Sequence, residues 1–245
     1  MKVAICLSGG VRYPHIGLES IKKIFPNSFV KVFIHTWKIT NREDFLQTVA
    51  GLQYMEQDKT VETQLDFLEK YNHEKILVED YDTKKQEFQT LYNSLNLLPF
   101  QEEGCIVPRY DIGPISMHYS IHKSNELKSQ YEKENNIVFD KVIRMRFDSD
   151  FEGKDLYLNN LPSCLNIPEG EDWCGGINDQ FALGSSLSMN IYSDFYNHMN
   201  QIENVPYHPE TMLRKYLEMR KVVINRFDFP VRINNKIDFR KVMFG

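Results

Sequence analysis

The chain has 245 residues, 42% of them hydrophobic, which is sufficient for a large core and fits a single α/β domain over residues 1–245. Its formal net charge of −5 argues against nucleic acid as the main partner. Because the four cysteines form no C-x-x-C pair and no apolar run is long enough for a signal peptide or a membrane span, we expect a cytoplasmic protein with reduced thiols and no stable membrane insertion.

Strands and helices alternate in the first half of the chain. Residues 3–7 form an apolar run typical of a buried strand, and the apolar spacing after it predicts a helix that ends at Pro26-Asn27. A second strand over residues 30–34 ends in His35-Thr36-Trp37. A short strand over residues 76–78 separates two helices predicted from their apolar positions, which are Val61, Leu65 and Leu68 and then Phe88, Leu91, Tyr92 and Leu95. This alternation is typical of a mostly parallel sheet.

The second half continues the pattern. Gly113-Pro114 begins a helix, because proline suits the first helical turn, and a strand over residues 138–147 follows. After a turn-rich stretch, the pattern predicts a strand over residues 181–183 and a helix whose apolar face runs from residue 187 to residue 202. Pro209 begins a further helix before a strand over residues 222–224, and the segment from Arg226 has no clear periodicity.

Two carboxylates, Asp148 and Asp150, follow the strand predicted before them. Oxygen ligands one residue apart can hold Mg²⁺ or Mn²⁺, which bind through one or two carboxylates and the phosphate oxygens of a substrate. Arg144 and Arg146 share the same parity, so in an extended strand the cations and the carboxylates point to one side. The run predicts a metal and diphosphate site, and the alternative is a structural network of ion pairs.

A glycine turn, Ser8-Gly9-Gly10-Val11-Arg12, lies between the first strand and the first helix. Glycines allow backbone amides to approach a ligand, and the amino end of a helix favours anions. The guanidinium of Arg12 is suited to bind phosphate or a base. We therefore predict that Ser8, Gly9, Gly10 and Arg12 line a nucleotide site, while the alternative is an ordinary turn that needs glycine for its positive φ.

Two later segments carry candidate catalytic groups. Asn178-Asp179-Gln180 stands just before a predicted strand, where polar side chains suit the recognition of sugar hydroxyls or base catalysis, unless they only bond their own backbone in a turn. His208-Pro209-Glu210 stands at a helix start. Glu210 is a candidate catalytic group and His208 a candidate metal ligand, although proline and glutamate are also ordinary residues at a helix start.

Taken together, the glycine turn, the run Phe33-Ile34-His35-Thr36-Trp37, the run Arg144-x-Arg146-x-Asp148-x-Asp150 and the segment Asn178-Asp179-Gln180-Phe181-x-x-Gly184 resemble small bacterial and viral GT-A-type glycosyltransferases of polysaccharide and glycan biosynthesis. The resemblance implies a Rossmann-like α/β/α sandwich with a mostly parallel central sheet. It implies a nucleotide-sugar donor, with a UDP-sugar as first choice, and a glycan, lipid-linked or protein acceptor.

The resemblance also implies roles for single residues. Asp148 and Asp150 would hold Mn²⁺ or Mg²⁺ against the diphosphate, with His208 or water completing the metal shell. Arg144 and Arg146 would join the glycine turn in binding the nucleotide. Asp179 or Glu210 would be the catalytic base. The expected enzyme is a hexosyltransferase-like glycosyltransferase.

Two other functions share part of this pattern. Ser8-Gly9-Gly10 also matches the S-G-G-x-D-S loop of adenylating ATP pyrophosphatases, although Arg12-Tyr13 occupies the positions of the Asp-Ser pair. A binding module for nucleotide sugars that lacks turnover would have the same motifs. Both alternatives stay open at the level of the sequence.

Overall fold

The computed structural model describes residues 1–25, 30–38, 65–98, 112–151 and 156–233. The strands are β1 (Val3–Ser8), β2 (Val30–Lys38), β3 (Lys75–Asp80), β4 (Lys141–Met145), β5 (Ser149–Asp150), β6 (Leu165–Pro168), β7 (Ala182–Gly184), β8 (Ile224–Phe227) and β9 (Arg232–Ile233). The α-helices are α1 (Pro14–Ile24), α2 (Tyr81–Ser94), α3 (Gly113–Asn135), α4 (Ser186–Ser193) and α5 (Pro209–Met219). Short 3₁₀ helices cover Phe67–Tyr71, Leu158–Asn160, Trp173–Gly175 and Asp194–Gln201.

Seven strands form one mixed sheet in the order β3-β2-β1-β4-β7-β6-β8, and β5 and β9 form a separate antiparallel pair. Strands β3, β2, β1 and β4 are parallel neighbours, as are β6 and β8. Strand β7 runs antiparallel to both β4 and β6. The predicted α/β fold with a mostly parallel sheet is confirmed, and the arrangement is compatible with a Rossmann-like fold.

The sheet has helices on both faces, and β1 shows why. All six of its residues are buried, because its side chains alternate between two hydrophobic clusters. Ala4 and Cys6 pack in the cluster that contains residues of α2, α3, α4 and α5. Val3, Ile5 and Leu7 pack in the cluster that contains residues of α1. Within the part of the chain that the structure describes, no helix has both the length and the apolar character that a membrane crossing requires.

Several elements begin or end in the structure at other residues than the sequence predicts. The strand predicted over residues 138–147 is only β4, because Phe147 and Asp148 form a turn. The helix predicted over residues 187–202 is α4 followed by a 3₁₀ helix, and the strand predicted over residues 222–224 begins at Ile224. Strand β6 lies in the stretch interpreted as turns. Pro26-Asn27 and Val61 lie outside the described residues.

Gly17 fixes α1 against the turn that carries Asp148. Its amide donates to the carbonyl oxygen of Phe147 over 2.9 Å, and an added Cβ would lie 2.4 Å from that oxygen. We expect Gly17→Ala to lower the free energy of unfolding by about 1–3 kcal/mol in urea denaturation, since the helix must move away from a backbone atom. Gly113→Ala is the matched control, because a Cβ there meets no atom within 4 Å. Equal stability of the two variants would contradict this close contact.

Candidate functional site

The glycine turn, Asp148 and Asp179 lie at one edge of the sheet, the edge formed by the carboxyl ends of its parallel strands. Strands β1, β2 and β4 are parallel, so the segments that follow them leave the sheet on the same side. Strand β7 runs the other way, and Arg144 near the end of β4 pairs in register with Ala182 at the start of β7. The segment that carries Asp179 therefore reaches the same edge as the glycine turn and Asp148. This is the edge at which open α/β sheets bind ligands.

The glycine turn is bonded into the protein on both sides of Gly9. Gly9 has a φ of 104°, which favours glycine. Its amide donates to Ser120 Oγ over 2.7 Å, and its carbonyl oxygen accepts from Thr36 Oγ1 over 2.7 Å. The Gly9 amide therefore donates within the protein, and the role of Gly9 in a nucleotide site stays a prediction. Ser8 Oγ is buried and has no hydrogen-bond partner among the described residues.

Ser120 belongs to a chain of polar contacts that supports this turn. His35 Nδ1 lies 2.7 Å from Ser120 Oγ, and His35 Nε2 lies 2.9 Å from Glu79 Oε2, which also accepts from Tyr119. Burial lowers the pKa of His35 despite its contact with Glu79, so the neutral ring donates to Glu79 and accepts from Ser120.

This order of residues has the spacing of a hydrolase triad, but Ser120 and His35 are fully buried. Their hydrogen bonds hold Gly9 in place. The sequence analysis did not assign this role, because Ser120 lies 111 residues from Gly9.

Asp148 is paired with Arg146. Two parallel hydrogen bonds join them, Nε to Oδ1 over 2.8 Å and Nη2 to Oδ2 over 2.9 Å, and Asp148 is 2% exposed. Burial acts to raise the pKa of Asp148, but the guanidinium groups of Arg146 and Arg12 outweigh it and lower that pKa. The four charges would point to one side only in an extended strand, and this condition is not met, because the turn at Phe147 and Asp148 breaks the alternation.

The predicted metal ligands Asp148 and His208 each contact a charged side chain in this arrangement, and their role as metal ligands stays a prediction. Both oxygens of Asp148 are engaged by Arg146, and Asp150 lies in β5 opposite Arg232. His208 Nδ1 lies 2.8 Å from Glu210 Oε2. Among the described residues, no group of three or more His, Cys, Asp or Glu side chains is placed to hold a metal ion.

Asp179 and Glu210 form a buried pair of acids, 6% and 7% exposed. Burial, followed by the nearby charge of Glu210, raises the pKa of Asp179 to about 7, although Arg144, Arg146 and His208 act in the opposite direction. Glu210 lies in the first turn of α5, as a helix start favours, and its backbone carbonyl accepts from Ile177 over 3.1 Å. A carboxyl with a pKa near neutrality is suited to accept a proton.

Arg144 lies beneath this pair and is 1% exposed. Its Nη1 donates to the backbone carbonyl of Asp179, and burial lowers the pKa of its guanidinium. Tyr192 and His118 are close enough to interact electrostatically with Arg144. Burial, followed by the charge of Arg144, lowers the pKa of His118 to about 3, so this ring is neutral. Arg144 therefore holds the segment of Asp179 through its backbone, and its contact with a nucleotide stays a prediction.

Several buried polar atoms at this edge have no hydrogen-bond partner among the described residues. They are Ser8 Oγ, Arg144 Nε, Tyr192 Oη and His118 Nε2. Such atoms are rare in a folded protein and call for a polar ligand or water. Tyr192 and His118 were missed by the sequence analysis, because a tyrosine or histidine on the buried face of a helix has the same pattern as a packing residue.

Asn178 forms a turn in which its side chain bonds the backbone, which was the alternative interpretation of its segment. Its Oδ1 accepts from the amide of Gln180 over 2.8 Å, and its Nδ2 donates to the carbonyl of Gly170 over 3.2 Å. This is an Asx turn, which orients the chain before β7. Asn178 therefore positions Asp179 and is not itself available to a sugar.

Comparison with known proteins assigns no family to this chain. No protein-family model matches it, and no curated protein matches it. Its function must therefore follow from its own residues and their geometry.

Proposed function

We propose that this chain is a glycosyltransferase with a GT-A-type fold, which moves a sugar from a nucleotide-diphosphate sugar to an acceptor hydroxyl. The observation that supports it most is the buried Asp179, whose pKa is about 7 beside Glu210. This carboxyl lies at the sheet edge that carries the glycine turn, Arg12 and Arg146. A base and a group of cations at one edge are what sugar transfer from a diphosphate requires.

The reaction breaks the bond between the anomeric carbon and the diphosphate oxygen and forms a bond from that carbon to the acceptor oxygen. Arg12 and Arg146 would neutralise the negative charge that grows on the departing diphosphate, Arg146 while it stays paired with Asp148. For inversion of the anomeric centre, Asp179 takes the proton of the acceptor hydroxyl, and Glu210 is the second choice. Retention would need no such base.

The cation expected at Asp148 and Asp150 is not used in this mechanism, because Arg146 occupies the Asp148 carboxylate. Two guanidinium groups already supply positive charge beside it, as the lowered pKa of Asp148 indicates. A requirement for Mn²⁺ or Mg²⁺ therefore remains a prediction from the resemblance that the following measurement decides.

We expect UDP-sugars to raise the melting temperature by about 5 °C or more at roughly 100 times their Kd, even with EDTA present. The arginines bind the diphosphate without a metal, so Arg12→Gln should remove most of the shift. Arg220→Gln, which changes an exposed arginine at the end of α5, is the matched control. A shift seen only with Mn²⁺ would establish a metal site and overturn the assignment to the arginines alone.

The same panel separates the two alternatives. Stabilisation by ATP and not by UDP-, GDP- or CMP-sugars would favour an adenylating enzyme. In the S-G-G-x-D-S loop of such enzymes the last serine would stand at the position of Tyr13, which has a φ of 45° at the start of α1. Binding of a nucleotide sugar without transfer or hydrolysis would favour a binding module.

A further inference from the structure

The chain has two tryptophans in very different surroundings. Trp37 is 4% exposed and packs against His35, Tyr81 and Tyr119. Trp173 is 56% exposed, on the 3₁₀ helix that precedes Asp179. An indole has a large apolar face and one polar N–H, and here that face is open to solvent six residues before Asp179 in the chain.

Hydrogen bonds fix the segment that carries Trp173. Asp172 Oδ1 accepts from the Asn178 amide over 2.8 Å, and both of its carboxylate oxygens accept from Arg226 Nη2. Trp173 Nε1 donates to Glu171 Oε2 over 3.1 Å, which sets the orientation of the ring. Glu171 and Cys174 both have a φ of 54°, an unfavourable conformation for residues other than glycine. The exposed ring is therefore held by its neighbours.

The same segment is held against the start of α5, where Glu210 lies. Thr211 Oγ1 donates to the carbonyl of Cys174 over 2.9 Å, and the amide of Gly176 donates to the carbonyl of Trp173 over 2.8 Å. A Cβ on Gly176 would lie 2.3 Å from the backbone carbon of Glu210, so only glycine fits this contact. The backbone that carries Trp173 is thus packed against the start of α5 at Glu210.

We propose that Trp173 is the acceptor platform, on which the apolar face of an acceptor sugar ring stacks so that its hydroxyl reaches Asp179. The inference rests on the proposed function and identifies its acceptor as a carbohydrate. A sugar ring has one face of C–H groups, which suits an aromatic ring, and a rim of hydroxyls, which suits the neighbouring acids. Because the indole N–H already bonds Glu171, the sugar is recognised by the face of the ring and not by its edge.

Binding is tested without any transfer reaction by tryptophan fluorescence of the full chain. The probes are maltotriose, cellotriose and chitotriose, each at up to millimolar concentration. We expect at least one of them to shift or quench the emission, because Trp173 is exposed while the buried Trp37 contributes a constant signal. The change should vanish in Trp173→Phe, in which only Trp37 emits. No change with any probe would overturn the platform, as would a change caused only by phospholipid vesicles.

Kinetics give an independent test. Trp173→Ala should raise the acceptor KM by about tenfold and leave the donor KM unchanged, and Trp173→Phe should restore most of the affinity because a ring remains. Tyr157→Ala, which removes another exposed aromatic ring, is the matched control. An unchanged acceptor KM in Trp173→Ala would overturn the platform. Turnover of the donor in the same variant would still support the proposed function. A saccharide-dependent fluorescence change without any sugar transfer would support saccharide binding at Trp173 and contradict the proposed glycosyltransferase activity.

Discussion

Replacing Asp179 by asparagine is expected to lower the rate of sugar transfer by about 100- to 10,000-fold and to stabilise the folded chain above pH 7. The loss of rate follows because asparagine accepts no proton from the acceptor hydroxyl. The gain in stability follows because the pKa of Asp179 is about 7 in the folded chain against an ordinary value of 3.8. Function and stability therefore change in opposite directions at this residue.

The pH dependence has a definite sign. Between pH 4 and pH 7 the folded chain keeps a proton on Asp179 that the unfolded chain has lost, so the stability from this group falls as the pH rises. At pH 8 the folded wild-type chain contains an ionised Asp179 in a buried site, whereas Asp179→Asn contains a neutral amide there. Urea denaturation should show a gain for the variant at both pH values, larger at pH 8 than at pH 5 by on the order of a few kcal/mol.

Glu203→Gln is the control for this comparison, because it removes an exposed acid outside the site. It should leave both the rate and the pH dependence of stability unchanged. Full transfer activity in Asp179→Asn would show that this residue is not the base. The anomeric configuration of the product then decides between Glu210 as the base and retention, which needs none.

Replacing Arg144 by methionine is expected to move the acidic limb of the pH–rate profile to higher pH by about one unit or more. Arg144 is fully buried, and its charge is one of those that lower the pKa of Asp179. Without it, burial and Glu210 raise that pKa further, so a higher pH is needed to form the carboxylate. We also expect a loss of about 3–5 kcal/mol in unfolding free energy, because buried acids lose their counter-charge.

The profile separates this role from simple packing, since a variant that only loosened the core would lower the rate at every pH. Arg144→Lys keeps the charge and should shift the limb less than Arg144→Met does. Arg220→Gln again serves as the surface control. A profile that keeps its acidic limb in Arg144→Met would show that Arg144 does not tune Asp179.

Most of the site residues could be selected from the sequence because each follows a recognisable local signal. Gly9 and Gly10 follow an apolar strand, Glu210 follows a proline at a helix start, and Asp179 precedes a short strand. Parallel strands then bring such segments to one edge. Their partners carried no comparable signal, since Ser120 and Tyr192 lie within helices where polar and aromatic residues are common.

The D-x-D run shows where this reasoning ends. The same residue types, two arginines and two aspartates in alternation, describe a metal site with basic neighbours and equally a network of ion pairs. The turn at Phe147 and Asp148 allows Arg146 to bind Asp148 through two hydrogen bonds in this structure, while the cation site stays a prediction. No periodicity in the sequence distinguishes a strand that continues from one that turns after Met145.

The sequence by itself determined the α/β class, the order of most strands and helices, and the residue types available for chemistry. These depend on the period of apolar positions and on glycine and proline, which act within a few residues. Only the tertiary structure decided that Gly9 is bonded to Ser120, that Asp148 is neutralised by Arg146, and that Asp179 and Glu210 share one buried environment. Pairing and pKa depend on distances between groups that are remote in the chain, and folding alone sets those distances.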